Sequence, residues 1–169
     1  RFINVLLGNA AEQYLLVTSA GYGFICTFND LLSRNKSGKI TITISEDAAI
    51  LQPLLVNNLE ITQLAVVSSH GRLLIFPLHE LPHLSKGKGN KIIGLSDVEH
   101  VVTLALLMPG QNLVLTAGKR EMRLRPADLQ VYIGQRGRRG KPLPRGFQRV
   151  ERLLVEDAPL RDFSAKTNA

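Results

Sequence analysis

The sequence predicts an all-β fold made of repeated, propeller-like blades, and three observations carry that prediction. Glycine-bearing turns recur at Thr18-Ser19-Ala20-Gly21, Ser68-Ser69-His70-Gly71 and Leu115-Thr116-Ala117-Gly118, their glycines 50 and 47 residues apart. Apolar runs flank each turn, and the similar stretches Asn29-Asp30-Leu31, His79-Glu80-Leu81 and Ala127-Asp128-Leu129 follow. Hydrophobic residues make up 44% of the 169-residue chain and charged ones 21%, enough apolar material for a core and too little charge for disorder. Self-similarity at this period marks propeller-like or solenoid architectures. Each repeat predicts about four strands and one short connector, the content of one blade. A single blade cannot bury both faces, so neighbours must stack. Three four-stranded blades give an open or incomplete ring.

The elements follow in order. Tyr14-Leu15-Leu16-Val17 and Gly23-Phe24-Ile25-Cys26-Thr27-Phe28 predict a hairpin around Gly21. Asn29 to Ser33 has room for one helical turn, with Asn29 or Asp30 as its cap. Thr41-Ile42-Thr43-Ile44 alternates with period two and predicts a strand. In repeat two, Ile61 to Val67 and Leu73 to Phe76 form the hairpin. Pro77 to Leu84 is the connector, since neither Pro77 nor Pro82 can donate to a ladder, and Ile92-Ile93 starts the next strand. Repeat three begins with Val101 to Leu107 and resumes at Leu113 after Met108-Pro109-Gly110. Beyond Gly118, alternation turns Met122 and Leu124 inward and Arg123 and Arg125 outward. Phe147 to Val155 supplies a last strand. The bladed domain is expected over residues 1–155, with repeat cores near 12–45, 61–95 and 101–152, and a frayed tail over 156–169. The start, Arg1-Phe2-Ile3-Asn4-Val5, has neither an initiating methionine nor a signal-peptide layout, as in a piece of a longer protein. No stretch approaches the ~20 apolar residues that cross a bilayer.

The net charge of +7 is concentrated in one repeat. Residues 1–118 carry eight basic and eight acidic side chains; residues 119–152 carry eleven basic and three acidic. Three acids cannot neutralise eleven bases, so a polyanion partner is expected. The sharpest local feature is Gly134-Gln135-Arg136-Gly137-Arg138-Arg139-Gly140-Lys141. Its glycines permit tight turns, and arginine presents a planar fork of donors that matches phosphate oxygens. Arg145, Arg149 and Arg152 extend the charge, and Arg120, Arg123 and Arg125 on the preceding hairpin are candidates for the same face. The loop Lys86-Gly87-Lys88-Gly89-Asn90-Lys91 offers Lys86, Lys88 and Lys91 as a second, weaker contact. Such a surface binds duplex DNA through its backbone, with little base selectivity and strong salt dependence. The alternative is a protein-interaction platform meeting an acidic partner.

Other chemistries find less support. The 86–91 loop lacks the Lys-Ser/Thr ending and the following helix of a phosphate-binding nucleotide loop. His79-Glu80-Leu81-Pro82-His83 matches a metalloprotease motif in letters only, because Pro82 sits inside the helix that the motif needs and no third ligand is apparent. No metal site is expected. Asp30, Glu80 and Asp128 recur as capping residues rather than acid–base pairs. Cys26, the single cysteine, reads as a buried thiol in a reducing compartment. Aromatics at 5% provide no stacking platform for single strands.

Gly21-Tyr22-Gly23-Phe24, the block Leu84 to Ile93, Gly118-Lys119-Arg120 with Leu124-Arg125-Pro126, Gly134 to Gly140 and Arg145-Gly146-Phe147-Gln148-Arg149 form an ordered set. That set closely resembles the C-terminal domain family of the A subunits of bacterial topoisomerase IV (ParC) and gyrase, over essentially the whole chain except the tail. The resemblance implies a β-pinwheel, a propeller-like ring or broken ring with exchanged strands, which binds and bends the transported duplex. It implies no cofactor in this region. Catalysis, ATP and Mg2+ belong elsewhere in the parent enzyme, which works with the topoisomerase IV B subunit in the nucleoid-associated cytoplasm. It also implies a docking site for the hinge of a chromosome-condensation protein. The gyrase box Gln-Arg-Arg-Gly-Gly-Lys-Gly appears here only rearranged, as Gln135-Arg136-Gly137-Arg138-Arg139-Gly140-Lys141, which suits decatenation and relaxation better than wrapping.

Overall fold

Unbroken apolar runs put apolar side chains on both faces of a sheet, and here each sheet covers a face of the next. The computed structural model describes residues 6–32, 35 and 37–158. In chain order the elements are β1 (Gln13–Val17), β2 (Tyr22–Thr27), α1 (Phe28–Leu31), β3 (Leu54–Val56), β4 (Gln63–Ser68) and β5 (Arg72–Pro77), then a 3-10 turn at Leu78–Glu80. There follow β6 (Asn90–Lys91), β7 (Val101–Leu107), β8 (Asn112–Ala117), β9 (Arg120–Leu124), α2 (Pro126–Leu129), a 3-10 turn at Gln130–Tyr132, β10 (Lys141–Pro142) and β11 (Arg152–Glu156). They form three antiparallel blades in an open arc, ordered β3-β1-β2-β6, β10-β5-β4-β7 and β11-β8-β9. Among the described residues no helix is long and apolar enough to cross a membrane.

The middle blade explains why β4 and β5 read as unbroken apolar runs. Leu64 and Val66 of β4 and Leu74 and Phe76 of β5 face blade one. Ala65, Val67, Leu73 and Ile75 face blade three. Both faces are buried, so the strands are apolar throughout Leu64–Val67 and Leu73–Phe76. Blade one covers its outer residues Tyr14, Leu16, Phe24 and Cys26 with Leu6, Phe28, Leu31, Ile42 and Leu84. Burial pushes the Cys26 thiol up to about 11, with Asp30 adding to the rise and Lys39 opposing it.

The connectors repeat one device. Asp30 Oδ2 accepts the Thr27 amide at 3.0 Å, and Thr27 Oγ1 accepts the Asp30 amide at 3.3 Å. The cap is therefore Thr27, with Asp30 three residues on, rather than Asn29 or Asp30 itself. Asp128 likewise accepts the Arg125 amide at 3.0 Å. In repeat two Pro77 stands at the cap and has no amide to offer, so Glu80 makes no such bond.

Strand exchange is where the structure departs from the sequence-based order. β6 and β10 each leave their own repeat and pair with the second hairpin strand of the preceding blade, Tyr22↔Lys91 and Leu73↔Lys141. Val101–Leu107, expected to open repeat three, instead pairs with β4 in blade two. Blade three contains three strands among the described residues rather than four, with β9 at its edge. Thr41–Ile44 forms a lone parallel bridge, Ile42 to Gly87, and no strand. Its period-two pattern is real, but no hairpin precedes β1 among the described residues to pair with it. The edge strand of repeat two is Asn90–Lys91, while Ile92 and Ile93 are core. The last strand starts at Arg152 rather than Phe147, and Phe147 packs on the core between blades two and three. Of the expected tail 156–169, residues 159–169 lie outside the described residues.

Candidate nucleic-acid interface

Each exchanged segment ends in Gly-x-x-apolar, and the glycine decides how closely it can dock. Gly89 has φ +81° and lies against the Gly23 carbonyl, leaving no room for a Cβ. A Cβ on Gly140 would stand 2.8 Å from the Leu73 carbonyl carbon and oxygen. The residues after them, Asn90–Lys91 and Lys141–Pro142, then pair at the turn end of the hairpin, and Ile92 and Leu143 are buried beyond.

The segment from Gly134 to Glu151 therefore runs along the turn ends of all three blades. Gly134 donates to the Ile75 carbonyl at 3.0 Å, Leu143 to Gly71 at 2.8 Å and Glu151 to Thr116 at 2.9 Å. Between Gly134 and Gly140 the loop reaches back to blade one. The Gly137 amide donates to the Ile92 carbonyl at 3.0 Å, and the Gly94 amide donates to the Arg138 carbonyl at 2.9 Å. Arg136 Nη1 donates to the Lys91 carbonyl at 2.7 Å. The two basic loops thus meet at the seam between blades one and two.

The structure brings Lys91, Arg136, Arg138, Arg139 and Lys141 together there. Lys88 joins them, its Nζ 3.9 Å from the Tyr22 ring centroid, beside the Tyr22–Lys91 pair. Lys86 lies further along the β2 edge, two residues beyond the Leu84 amide that bonds Ile25. Arg145 and Arg149 are exposed on the same segment, and the Arg120 guanidinium lies against Gly146. Arg123 and Arg125 are not brought to this face. In β9 the Ala117↔Arg120 pair is at the turn and Leu113↔Leu124 is at the opposite, connector end. Arg123 Nε bonds Glu156 Oε2 there at 2.7 Å, and Arg125 caps α2.

Among the described residues the arginine–carboxylate pairs are Arg123–Glu156 and Arg139–Glu99. Arg138, Lys141, Arg145 and Arg149 are exposed and have no such partner, so their charge faces solvent. Two contributors escaped the sequence reading. Arg72 donates from Nη1 to the Gly140 carbonyl at 2.8 Å and adds a cation to the seam; its place directly after the turn glycine Gly71 was the available signal. Glu99, in the loop before β7, is buried. Burial would raise its carboxyl, but the hydrogen bonds from Ser68 and the Ser96 amide, with the Arg139 charge, hold it below its ordinary value of 4.5. A lowered native value means stability that is present above about pH 4.5 and lost as pH falls through the native value. Glu99→Gln removes that contribution, so thermal melts of the two chains should differ by about 1–3 kcal/mol at pH 7, with the gap narrowing as pH falls below about 4.5. A gap that does not narrow with acid contradicts the assignment.

Among the described residues no three His, Cys, Asp or Glu side chains are grouped to hold a metal. His79 lies in a 3-10 turn and the chain is extended at Pro82–His83, so the helical face that would align His79 with His83 does not form.

The family model of the DNA gyrase C-terminal domain, a beta-propeller, matches residues 12–57 and 62–107, more than half of the chain. The A subunit of DNA topoisomerase 4 from Pseudomonas aeruginosa is 45% identical over 161 residues, covering 92% of this chain and 21% of that protein. The protein of the same name from Salmonella typhimurium is 43% identical, over 94% of this chain and 21% of its own length. The chain thus spans about a fifth of these relatives. The solved E. coli ParC C-terminal domain superposes with a TM-score of 0.83 at 40% identity, covering 90% of this chain and 64% of that one. A gyrase A C-terminal domain superposes with a TM-score of 0.65 at 16% identity over 88% and 49%, a likeness of fold.

Proposed function

Because this chain belongs to the DNA gyrase C-terminal domain beta-propeller family, we propose that it is the non-catalytic, duplex-binding domain of a topoisomerase IV A subunit. Its turn-end surface holds and orients the duplex to be transported, in decatenation and relaxation. The observation that carries this reading is one continuous segment, 134–151, that presents Arg138, Lys141, Arg145 and Arg149 across three blades, without carboxylate partners among the described residues. Unpaired cations displayed along a row of turns suit phosphate rails rather than a small ligand. The relatives' names and the rearranged glycine-arginine loop favour topoisomerase IV over gyrase. DNA cleavage, ATP and Mg2+ then belong to other regions and to the B subunit, in the nucleoid-associated cytoplasm.

Titration with random-sequence duplex between 50 and 200 mM salt tests this. Expected is micromolar or tighter binding at low salt, with log K falling against log salt at about 0.9 per contacted phosphate. Undetectable binding at low salt, with capture of an acidic protein such as a condensation-protein hinge, would instead assign the surface to protein docking.

A further inference from the structure

Glu99 is a carboxylate whose side chain has no solvent exposure, and it is fully engaged. It accepts from Ser68 Oγ, from the Ser96 amide at 3.0 Å and hydroxyl at 3.2 Å, and from Arg139 Nη2 at 2.8 Å; His70 Nδ1 stands 3.7 Å away. Burying a lone carboxylate is unfavourable unless charge and hydrogen bonds compensate it. Here the compensating charge comes from the basic loop.

The chain contains its own comparison. The loop before β7 and its counterpart in repeat one dock alike: the His100 amide bonds Ser69 Oγ at 3.0 Å, and the Ala49 amide bonds Ser19 Oγ at 2.9 Å. The residue before each is Glu99 in one case and Ala48 in the other. The seam with Glu99 receives a loop carrying Arg139. On the outer side of blade one, the counterpart segment upstream of Ala48 receives Lys86-Gly87-Lys88, held through the Gly87 backbone to Thr41 and Thr43. Directly before Gly89 and Gly140 stand Lys88 and Arg139, so the acid accompanies the arginine and is absent beside the lysine.

We propose that Glu99 is a positioning residue of the DNA-binding loop, clamping Arg139 so that residues 136–141 stay fixed across the seam between blades one and two. The inference rests on the duplex-binding reading above. In it Arg139 is a tether, neutralised by Glu99, and contacts no phosphate. Arg138 and Lys141, on either side, are the cations that the tether presents.

Glu99→Gln separates positioning from charge because the two predict opposite signs. Charge alone predicts tighter duplex binding and a log–log salt slope steeper by about 0.9, from the freed Arg139. Positioning predicts weaker binding by about three- to tenfold despite the extra positive charge. It also predicts that hydrogen exchange at the Gly94 and Gly137 amides speeds up by more than the global loss of stability, read at the core amides of Leu64 and Val114, accounts for. Arg139→Gln should reproduce both effects, the double variant should be no weaker than either single one, and Arg139→Lys should recover part of the loss. Tighter or unchanged binding of duplex by Glu99→Gln would overturn the proposal. Should the unaltered chain bind no duplex, the duplex-binding reading fails by itself. The exchange experiment then still decides the clamp, and unchanged protection at Gly94 and Gly137 would sink it.

Discussion

Replacing Arg138, Lys141, Arg145 and Arg149 together by alanine should weaken duplex binding by about four-thousandfold at 0.1 M salt. Each lost phosphate contact forfeits the release of about 0.9 counterion, close to a factor of eight at that salt concentration. The log–log salt slope should flatten by about 3–4. All four side chains are exposed, and none is paired with a carboxylate among the described residues, so the melting temperature should barely change. The choice of residues follows from the structure. From sequence, Arg136, Arg138 and Arg139 form the natural triple variant. Arg136 holds the Lys91 carbonyl and Arg139 holds Glu99, so removing them would disturb the loop as well as its charge. Filter binding or anisotropy across a salt series reads the slope directly. An unchanged slope in the quadruple variant would place the phosphate contacts elsewhere.

The second large effect is on stability. Gly89→Ala should lower it by about 3–5 kcal/mol. The left-handed φ of +81° costs an alanine about 1–2 kcal/mol. The new Cβ also meets the Gly23 carbonyl, so β6 must shift and Ile92 loses part of a burial that stabilises by about 1.5–3 kcal/mol. At this chain length the combined loss moves the melting temperature by about 10 °C. Gly38→Ala is the control. It has nearly the same φ, +82°, with nothing within 4 Å of the added methyl, so only the backbone term of about 1–2 kcal/mol applies. Urea or thermal unfolding of the pair isolates the collision. Equal losses would mean that β6 is not docked on β2 as described.

The hairpins were legible because their signals are local. An apolar run, a glycine turn and a second run specify β1–β2, β4–β5 and β8–β9 without reference to anything distant. The connectors were legible only in part: a short helical turn with a recurring acid is a local signal, but the cap is Thr27 rather than Asn29 or Asp30, and Glu80 has no capping bond because Pro77 has no amide. The partners of the edge strands were not legible. Asn90–Lys91 and Lys141–Pro142 are two residues each, too short to show a period, and their acceptors lie in the preceding repeat. Val101–Leu107 reads equally well as the start of one blade or the end of another. The candidate interface divides along the same line. A surplus of cations over residues 119–152 is a matter of counting, whereas the separation of Arg123 and Arg125 from the basic loop depends on where along β9 each one falls.

Composition and repeat spacing determined a bladed β chain with one strongly basic unit, because strand periodicity and charge are properties of neighbouring residues. Only the tertiary structure decided which cations point at solvent and which hold the scaffold. Arg138 and Arg139 are adjacent and chemically identical, yet among the described residues one has no carboxylate partner and the other is tied to Glu99, forty residues away. That difference is made by a strand crossing from one blade to the next, which brings distant charges within hydrogen-bond reach.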